Sequence, residues 1–195
     1  VYNEQLTDLQ QAVTSILNQT LPDFEFIILL DNPQQELLHH YLITLSDARV
    51  RLVVNEHNMG LARSLTKGIQ LAKGKLIARM DADDVSDPTR FAEEYAYLQE
   101  QDLDLVTTNA RFIDEKGKVI GQHAPLPTTP EQFKTLLPYG CNIVHPSVLG
   151  KKSLFVNQHG YRELPASEDY DLWLRCLTSD AKIGGLNKRL FSCLL

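Results

Sequence analysis

A chain of 195 residues, 43% hydrophobic and 23% charged, has the make-up of one soluble globular domain with a sizeable core. Its 19 basic and 25 acidic residues leave a net charge of −6, which argues against a general nucleic-acid binder, a function that usually shows as a basic face. No apolar run reaches the length of a membrane span and no signal peptide is visible, and the 3 cysteines, odd in number and without a C-x-x-C pair, read as reduced thiols of a cytosolic type of compartment.

In chain order, residues 5–19 predict an amphipathic helix, because Leu6, Leu9, Val13, Ile16 and Leu17 follow a helical period. Phe26–Leu30 is a continuous apolar run closed by Asp31-Asn-Pro33, as a buried parallel strand would be. A helix over 34–46 and a strand over Val50–Val54 follow. Asn58-Met-Gly60 signals a turn, and Leu61, Ala62, Leu65, Ile69 and Ala72 mark the face of a third helix. Gly74 ends that helix, and a short strand with Leu76, Ile77, Ala78 and Met80 comes next. Beyond Pro88 a helix runs to Gln101, then a strand over Leu103–Thr108. Residues 110–113 and 119–122 flank Glu115-Lys-Gly117 as a hairpin. A short helix is expected over 130–137, an extended segment over 142–149, irregular chain over 161–167 and a helix over Glu168–Thr178.

Strands alternating with helices of this length predict an α/β fold with a mostly parallel sheet covered on both faces. The alternation needs a strand before Val1. With no Met at the start and an apolar run, Leu190–Leu195, at the end, the chain reads as a piece of a longer protein cut at both ends.

Three carboxylates in four residues, Asp81, Asp83 and Asp84, follow the strand that ends at Met80. Charged groups are costly to bury unpaired, and ligands in open α/β sheets bind at the carboxyl ends of strands. If the segment is extended, Asp81 and Asp83 point the same way and could share one Mg²⁺ or Mn²⁺, hard cations that favour oxygen ligands. The same pattern suits a solvated turn capping the next helix, or a phosphoaspartate-type phosphatase with Asp81 as nucleophile. Asp31, past another strand, is either an acceptor for a base N–H or an Asx-turn with Asn32 and Pro33. Glu168 and Asp169 open a helix where its dipole favours negative charge; Asp169 is alternatively a general base. His145, before Pro146, reads as structural before it reads as a ligand, and Lys151-Lys152 as solvated.

Taken together these residues resemble the family 2 glycosyltransferases, which carry a nucleotide-sugar-binding GT-A fold. The resemblance runs through Val1-Tyr-Asn-Glu4, Ser15–Thr20, Glu25–Asp31, Asn58-Met-Gly60-Leu61, Ile77–Asp84 with Pro88 and Arg90, His145-Pro-Ser147, Gly160-Tyr161 and Glu168–Arg175. It implies one domain over 1–195, with a nucleotide-sugar half (1–108) and an acceptor half (109–195). The sheet would be Rossmann-like with a small antiparallel hairpin, its first strand missing from these residues. It implies that Tyr2 lies near the nucleotide base, that Asp31 bonds the base edge, and that Glu4 and Arg79 line the donor pocket. Asp81 and Asp83 would form the DxD motif, Asp81 serving the sugar or ribose side and Asp83 the metal, Mn²⁺ or Mg²⁺. Asp169 aligns with the catalytic base.

The implied reaction is inverting transfer of a sugar from a nucleoside diphosphate donor, a UDP-sugar by expectation. The acceptor is a saccharide or lipid-linked saccharide, in bacterial cell-surface polysaccharide or lipopolysaccharide assembly. The implied setting is the cytoplasm, at the inner face of the plasma membrane where segments outside these residues attach it. A non-catalytic nucleotide-sugar-binding module is the alternative, and a nucleotidyltransferase a weaker one. The chain departs from the family at Leu30-Asp-Asn-Pro33, where Asp-Asp-Gly-Ser is frequent, and at Thr66, where Asn is usual.

Overall fold

The computed structural model describes residues 1–195. Helix α1 (Leu6–Leu17) buries Leu9, Ala12, Val13 and Ile16, one stripe of its surface. Strands β1 (Phe26–Leu30) and β2 (Val50–Val54) form a parallel pair in register from Phe26↔Val50 to Leu30↔Val54. Helix α2 (Glu36–Ile43) makes the crossover that parallel neighbours require. Its Leu38 and Leu42 close a small core with Leu9, Val13, Ile28 and Leu30.

Helix α3 (Leu61–Leu71) then leads to a second sheet of six strands. They are β3 (Leu76–Ala78), β4 (Val85–Ser86), β5 (Leu105–Ile113), β6 (Val119–Gln122), β7 (Leu149–Lys151) and β8 (Ile183–Leu194). The order is β3-β7-β5-β8-β4, with β6 on β5. β5 is the axis: every residue from Leu105 to Ala110 is buried. The remaining helices are α4 (Arg90–Glu100), α5 (Pro130–Leu136), α6 (Lys152–Asn157) and α7 (Glu168–Thr178). The main core surrounds the fully buried Trp173 of α7 and includes Phe133, Leu137, Phe155, Leu172 and Ile183.

The α/β class holds, but the pairing is mixed where the sequence predicts a mostly parallel sheet. β1/β2 and β5/β8 are parallel, while β3/β7, β4/β8, β5/β6 and β5/β7 are antiparallel. The reason lies in residues 142–149, expected to be extended. Pro146 instead builds a 3₁₀ turn over His145–Ser147, and the chain enters β7 from that turn, antiparallel to both β3 and β5. β5 also runs on as one strand through residue 113, where the sequence divides it at Thr108 from a hairpin arm. β4, α6 and the 12-residue β8 have no counterpart in the sequence reading. β8 hides because Gly184-Gly185 and Asn187-Lys-Arg189 interrupt any alternation.

The two sheets do not meet. β1 pairs only with β2, and β3 only with β7, so each turns a free edge to the space between them. That space is a cavity of about 1620 Å³, bordered by Phe26, Ile27 and Leu29 on one side and Leu76, Ile77 and Ala78 on the other. At the end of β1 the Val1 amino group donates to Leu29 O (2.8 Å), and Asp31 N–H donates to Val1 O (2.8 Å), as in one rung of a parallel ladder. No helix of the chain is long and apolar enough to cross a membrane.

Candidate active site

The carboxyl ends of β1 and β3 carry the first group of candidates. At β1, Asp31 is buried and almost fully engaged. Its Oδ1 accepts from Asn55 Nδ2 (2.7 Å) and Met59 N (2.8 Å), and its Oδ2 from Gly60 N (2.9 Å). Burial pushes this carboxyl up, but the hydrogen bonds from Met59, Asn55 and Gly60 outweigh it and hold Asp31 below the usual carboxylate range. Asn55 in turn accepts from Lys67 Nζ (2.6 Å) and donates to Ser64 Oγ (2.9 Å). Asp31 therefore shapes the Asn58–Gly60 turn that starts α3. Gly60 sits there at φ +81°, a conformation L side chains rarely adopt. Tyr2 is exposed beside this strand end, and its N–H donates to Glu4 Oε2 (2.7 Å).

At β3 the balance is reversed. The strand ends at Ala78 and the chain bends at Ala82 and Asp83, so Asp81 and Asp83 do not alternate along an extended segment as expected. Asp81 is gripped by the buried Arg79 in a bidentate pair, Nη1–Oδ2 and Nη2–Oδ1 both 2.5 Å. Asp83 is exposed at the bend. Its carboxyl is raised by partial desolvation, then by the charges of Asp81, Glu4 and Asp8. Asp84 is buried and accepts from Leu194 N (3.0 Å), tying the bend to β8. Burial first, and then Asp81 and Asp83, push it up to about 7. Three carboxylates here meet one guanidinium, a surplus of hard oxygen donors of the kind Mg²⁺ and Mn²⁺ take. No three His, Cys, Asp or Glu side chains converge as an all-protein metal site. A cation that shares its shell with phosphate oxygens needs only one or two carboxylates, so the residues present fit such an ion.

The second group gathers at the start of α7. Asp169, in the first turn of α7, has a quarter-exposed side chain, and its Oδ2 lies 3.8 Å from His145 Nδ1. The other ring nitrogen of His145 is 2.9 Å from the Tyr161 hydroxyl, and the ring stands edge-on to Trp173. Burial, and then Arg79, depress His145 well below the usual histidine range. Burial raises Tyr161, whose phenol also feels Arg79, Asp169 and Asp81. The two groups are thus one electrostatic neighbourhood, since Arg79 acts on both His145 and Tyr161.

A single buried side chain ties the groups mechanically. Arg90 is fully buried, stacked against Phe91 and Phe191. Its Nη2 donates to Arg79 O (3.1 Å) and its Nη1 to Pro146 O (3.0 Å). It therefore fastens the strand that carries the acidic bend to the turn that carries His145. Its neighbour Glu94 is also fully buried, 3.9 Å away, and burial pushes that carboxyl up to about 8 despite Arg90.

Tyr161, Arg90 and the Asn55–Lys67 pair have functional or supporting places that the sequence reading did not assign. The signal was there for two of them, since Gly160-Tyr161 and Arg90 stand within the family-like motifs. Thr66, the departure noted above, packs into a matching gap: its Oγ1 accepts from Tyr161 N (3.0 Å), and a Cβ on Gly160 would lie 2.6 Å from that oxygen. The cysteines are all free, Cys176 buried and Cys141 exposed.

The family model described as glycosyl transferase family 2 matches residues 1–156. The chain belongs to this family. Among its relatives, the O-antigen biosynthesis glycosyltransferase WbnJ of Escherichia coli is 37% identical over 188 residues, covering 94% of this chain and 71% of WbnJ. The uncharacterized glycosyltransferase MJ1057 of Methanocaldococcus jannaschii is 35% identical over 189 residues, 93% of this chain and 63% of its own length. The amylovoran biosynthesis glycosyltransferase AmsE of Erwinia amylovora is 29% identical over 192 residues, covering 95% of this chain. The crystal structure of S. aureus TarS residues 1–349 with UDP-GlcNAc superposes with a TM-score of 0.77 over 96% of this chain and 54% of that one, at 16% identity, a likeness of fold alone. This family 2 chain spans about half of that TarS chain and under two thirds of MJ1057.

Proposed function

We propose that the protein moves a sugar from a nucleoside diphosphate donor to an acceptor hydroxyl, with inversion at C1. The observation that supports this reading is that Arg79, Asp81 and Asp169 all act on the one buried phenol of Tyr161, which is joined through His145 to Asp169. Asp169 is the general base. Its carboxylate takes the acceptor proton as the acceptor oxygen bonds to C1, and the C1–oxygen bond to the diphosphate breaks on the opposite face. Tyr2, Glu4 and Asp31 border the nucleoside end at β1, with Asp31 holding the turn that shapes it and keeping spare acceptor capacity on Oδ2. Arg79 and Asp81 border the sugar and diphosphate. Asp83 and Asp81 would hold Mn²⁺ or Mg²⁺, which supplies countercharge for the leaving diphosphate.

A UDP-sugar is the donor of choice, supported by the fold shared with TarS, solved with UDP-GlcNAc and with UDP. The acceptor is a saccharide of a cell-surface polysaccharide, supported by relatives named for O-antigen and amylovoran biosynthesis. The test is a panel of UDP-, GDP- and dTDP-sugars with Mn²⁺, reading release of nucleoside diphosphate with and without short saccharide acceptors. Release from one UDP-sugar, dependent on the cation, is expected. Failure to bind any member of the panel overturns the reading.

A further inference from the structure

His145 stands next to Asp169, and several elements confine it. Its 3₁₀ turn is pinned to β5 by Ser147, whose Oγ donates to Thr108 O (3.1 Å) and accepts from Thr108 N (3.0 Å). Pro146 O is held by the buried Arg90. The ring itself packs on Trp173 of α7 and on Tyr161, which Thr66 fastens to α3. The charged or titratable groups facing it are Asp169 from α7, Arg79 from the end of β3 and the Tyr161 phenol. A ring so fixed presents each nitrogen to one neighbour only: Nε2 to the Tyr161 hydroxyl and Nδ1 to Asp169 Oδ2.

Which nitrogen holds the proton follows from those neighbours. A neutral imidazole has one donor and one acceptor nitrogen, and the bond made by one sets the state of the other. The Tyr161 hydroxyl has no partner besides His145, so donating its proton to Nε2 satisfies both groups. The proton of His145 is then on Nδ1, where it faces a carboxylate. The opposite tautomer would turn a lone pair toward that carboxylate and leave the phenol proton without an acceptor.

We propose that His145, with its tautomer set by Tyr161, is a positioning residue that presents Nδ1–H to Asp169 and orients its carboxylate for proton abstraction. The proposal rests on the reading of Asp169 as general base. The separation of 3.8 Å is longer than a hydrogen bond. Contacts of this kind tighten when substrate fills a site. With Oδ2 held by His145, Oδ1 is the oxygen that receives the acceptor proton. His145 itself neither gains nor loses a proton in the step, in keeping with the burial and the Arg79 charge that keep it neutral.

Two measurements test this. Long-range ¹H–¹⁵N correlation spectra of the ¹⁵N-labelled protein read the tautomer of each imidazole directly, and the signals missing in His145→Asn identify His145. Protonated Nδ1 is expected in the wild-type protein, with a shift toward a tautomer mixture in Tyr161→Phe. An Nε2–H tautomer, or no response to Tyr161→Phe, overturns the proposal even if the protein proves to be a glycosyltransferase. The second measurement uses the best UDP-sugar of the panel with Mn²⁺. His145→Ala should lower kcat by about 10–100-fold, the usual cost of losing a group that orients a reacting one, with donor affinity unchanged. His145→Asn, whose amide nitrogen falls near the place of Nδ1, should recover most of that loss. Equal losses in the two variants, with melting temperatures lowered alike, would reduce His145 to a structural residue. If no sugar nucleotide binds, the glycosyltransfer reading fails by itself, and the spectra still decide the Tyr161–His145 geometry.

Discussion

The ends of β1 and β3 both carry aspartate, and the chain treats them in opposite ways. At β1 the Asp31 carboxylate is largely supplied by its own surroundings, two backbone N–H groups and the Asn55 amide, and is held below the ordinary range. At β3 three carboxylates crowd round one guanidinium, and Asp83 and Asp84 are both raised. A carboxylate already supplied with donors is a building element of its loop. A set short of positive charge is a place for something not supplied by the chain. Equal residue type and equal position at a strand end thus separate into support and site by their hydrogen-bond supply.

That contrast can be broken experimentally, and the largest effect should come from the proposed base. Asp169→Asn is expected to lose about 10²–10⁴-fold in turnover, the usual contribution of a general base, while calorimetry shows donor affinity intact. Unchanged turnover would remove Asp169 from its role. Next, Asp83→Asn should weaken Mn²⁺-dependent binding of the UDP-sugar by about tenfold or more, equivalent to about 1.4 kcal/mol, with no loss of melting temperature. Equal affinity with and without Mn²⁺ in the wild-type protein would count against a cation at the bend.

Asp31→Ala should behave in the reverse manner. It strands the N–H of Met59 and leaves Gly60 N–H with Asn58 Oδ1 alone, and a loss of about 1–3 kcal/mol in denaturant unfolding is expected. A variant as stable as wild type would show that water replaces the carboxylate and that Asp31 is free for ligand.

The smallest effect is a slope. Asp84, at about 7 in the folded chain against 3.8 as its ordinary value, binds a proton more tightly when folded. Its contribution to stability is full below about pH 4 and is lost as pH rises toward 7. Asp84→Asn keeps an acceptor for Leu194 N–H without a titrating charge. Its unfolding free energy, measured in chelator, should gain on wild type from pH 5 to pH 8, on the order of 1 kcal/mol. Parallel curves for the two proteins would place the raised carboxyl elsewhere, with Glu94 the next candidate.

Much of the β1 half was legible because its cues are local. Phe26–Leu30 and Val50–Val54 have the limits expected from their apolar runs, and α7 spans Glu168–Thr178 as its pattern predicts. The hairpin arm over residues 119–122 is likewise as read from its turn. β8 and the mixed pairing were not legible. A central strand broken by glycines and a polar run shows no period, and its partners lie 78 residues away along the chain, as at Leu105↔Ile183.

The sequence by itself determined the family, the α/β class and the identity of the acidic and basic residues, because motifs and periodicities reside in near neighbours. Only the tertiary structure decided which of those residues are already satisfied. It set Asp31 against its turn, locked Arg79 to Asp81, fastened the acidic bend to the His145 turn through Arg90 and brought Tyr161, His145 and Asp169 together. The physical reason is that a charged group's role depends on the donors, acceptors and solvent around it, and these come from segments far apart in the chain.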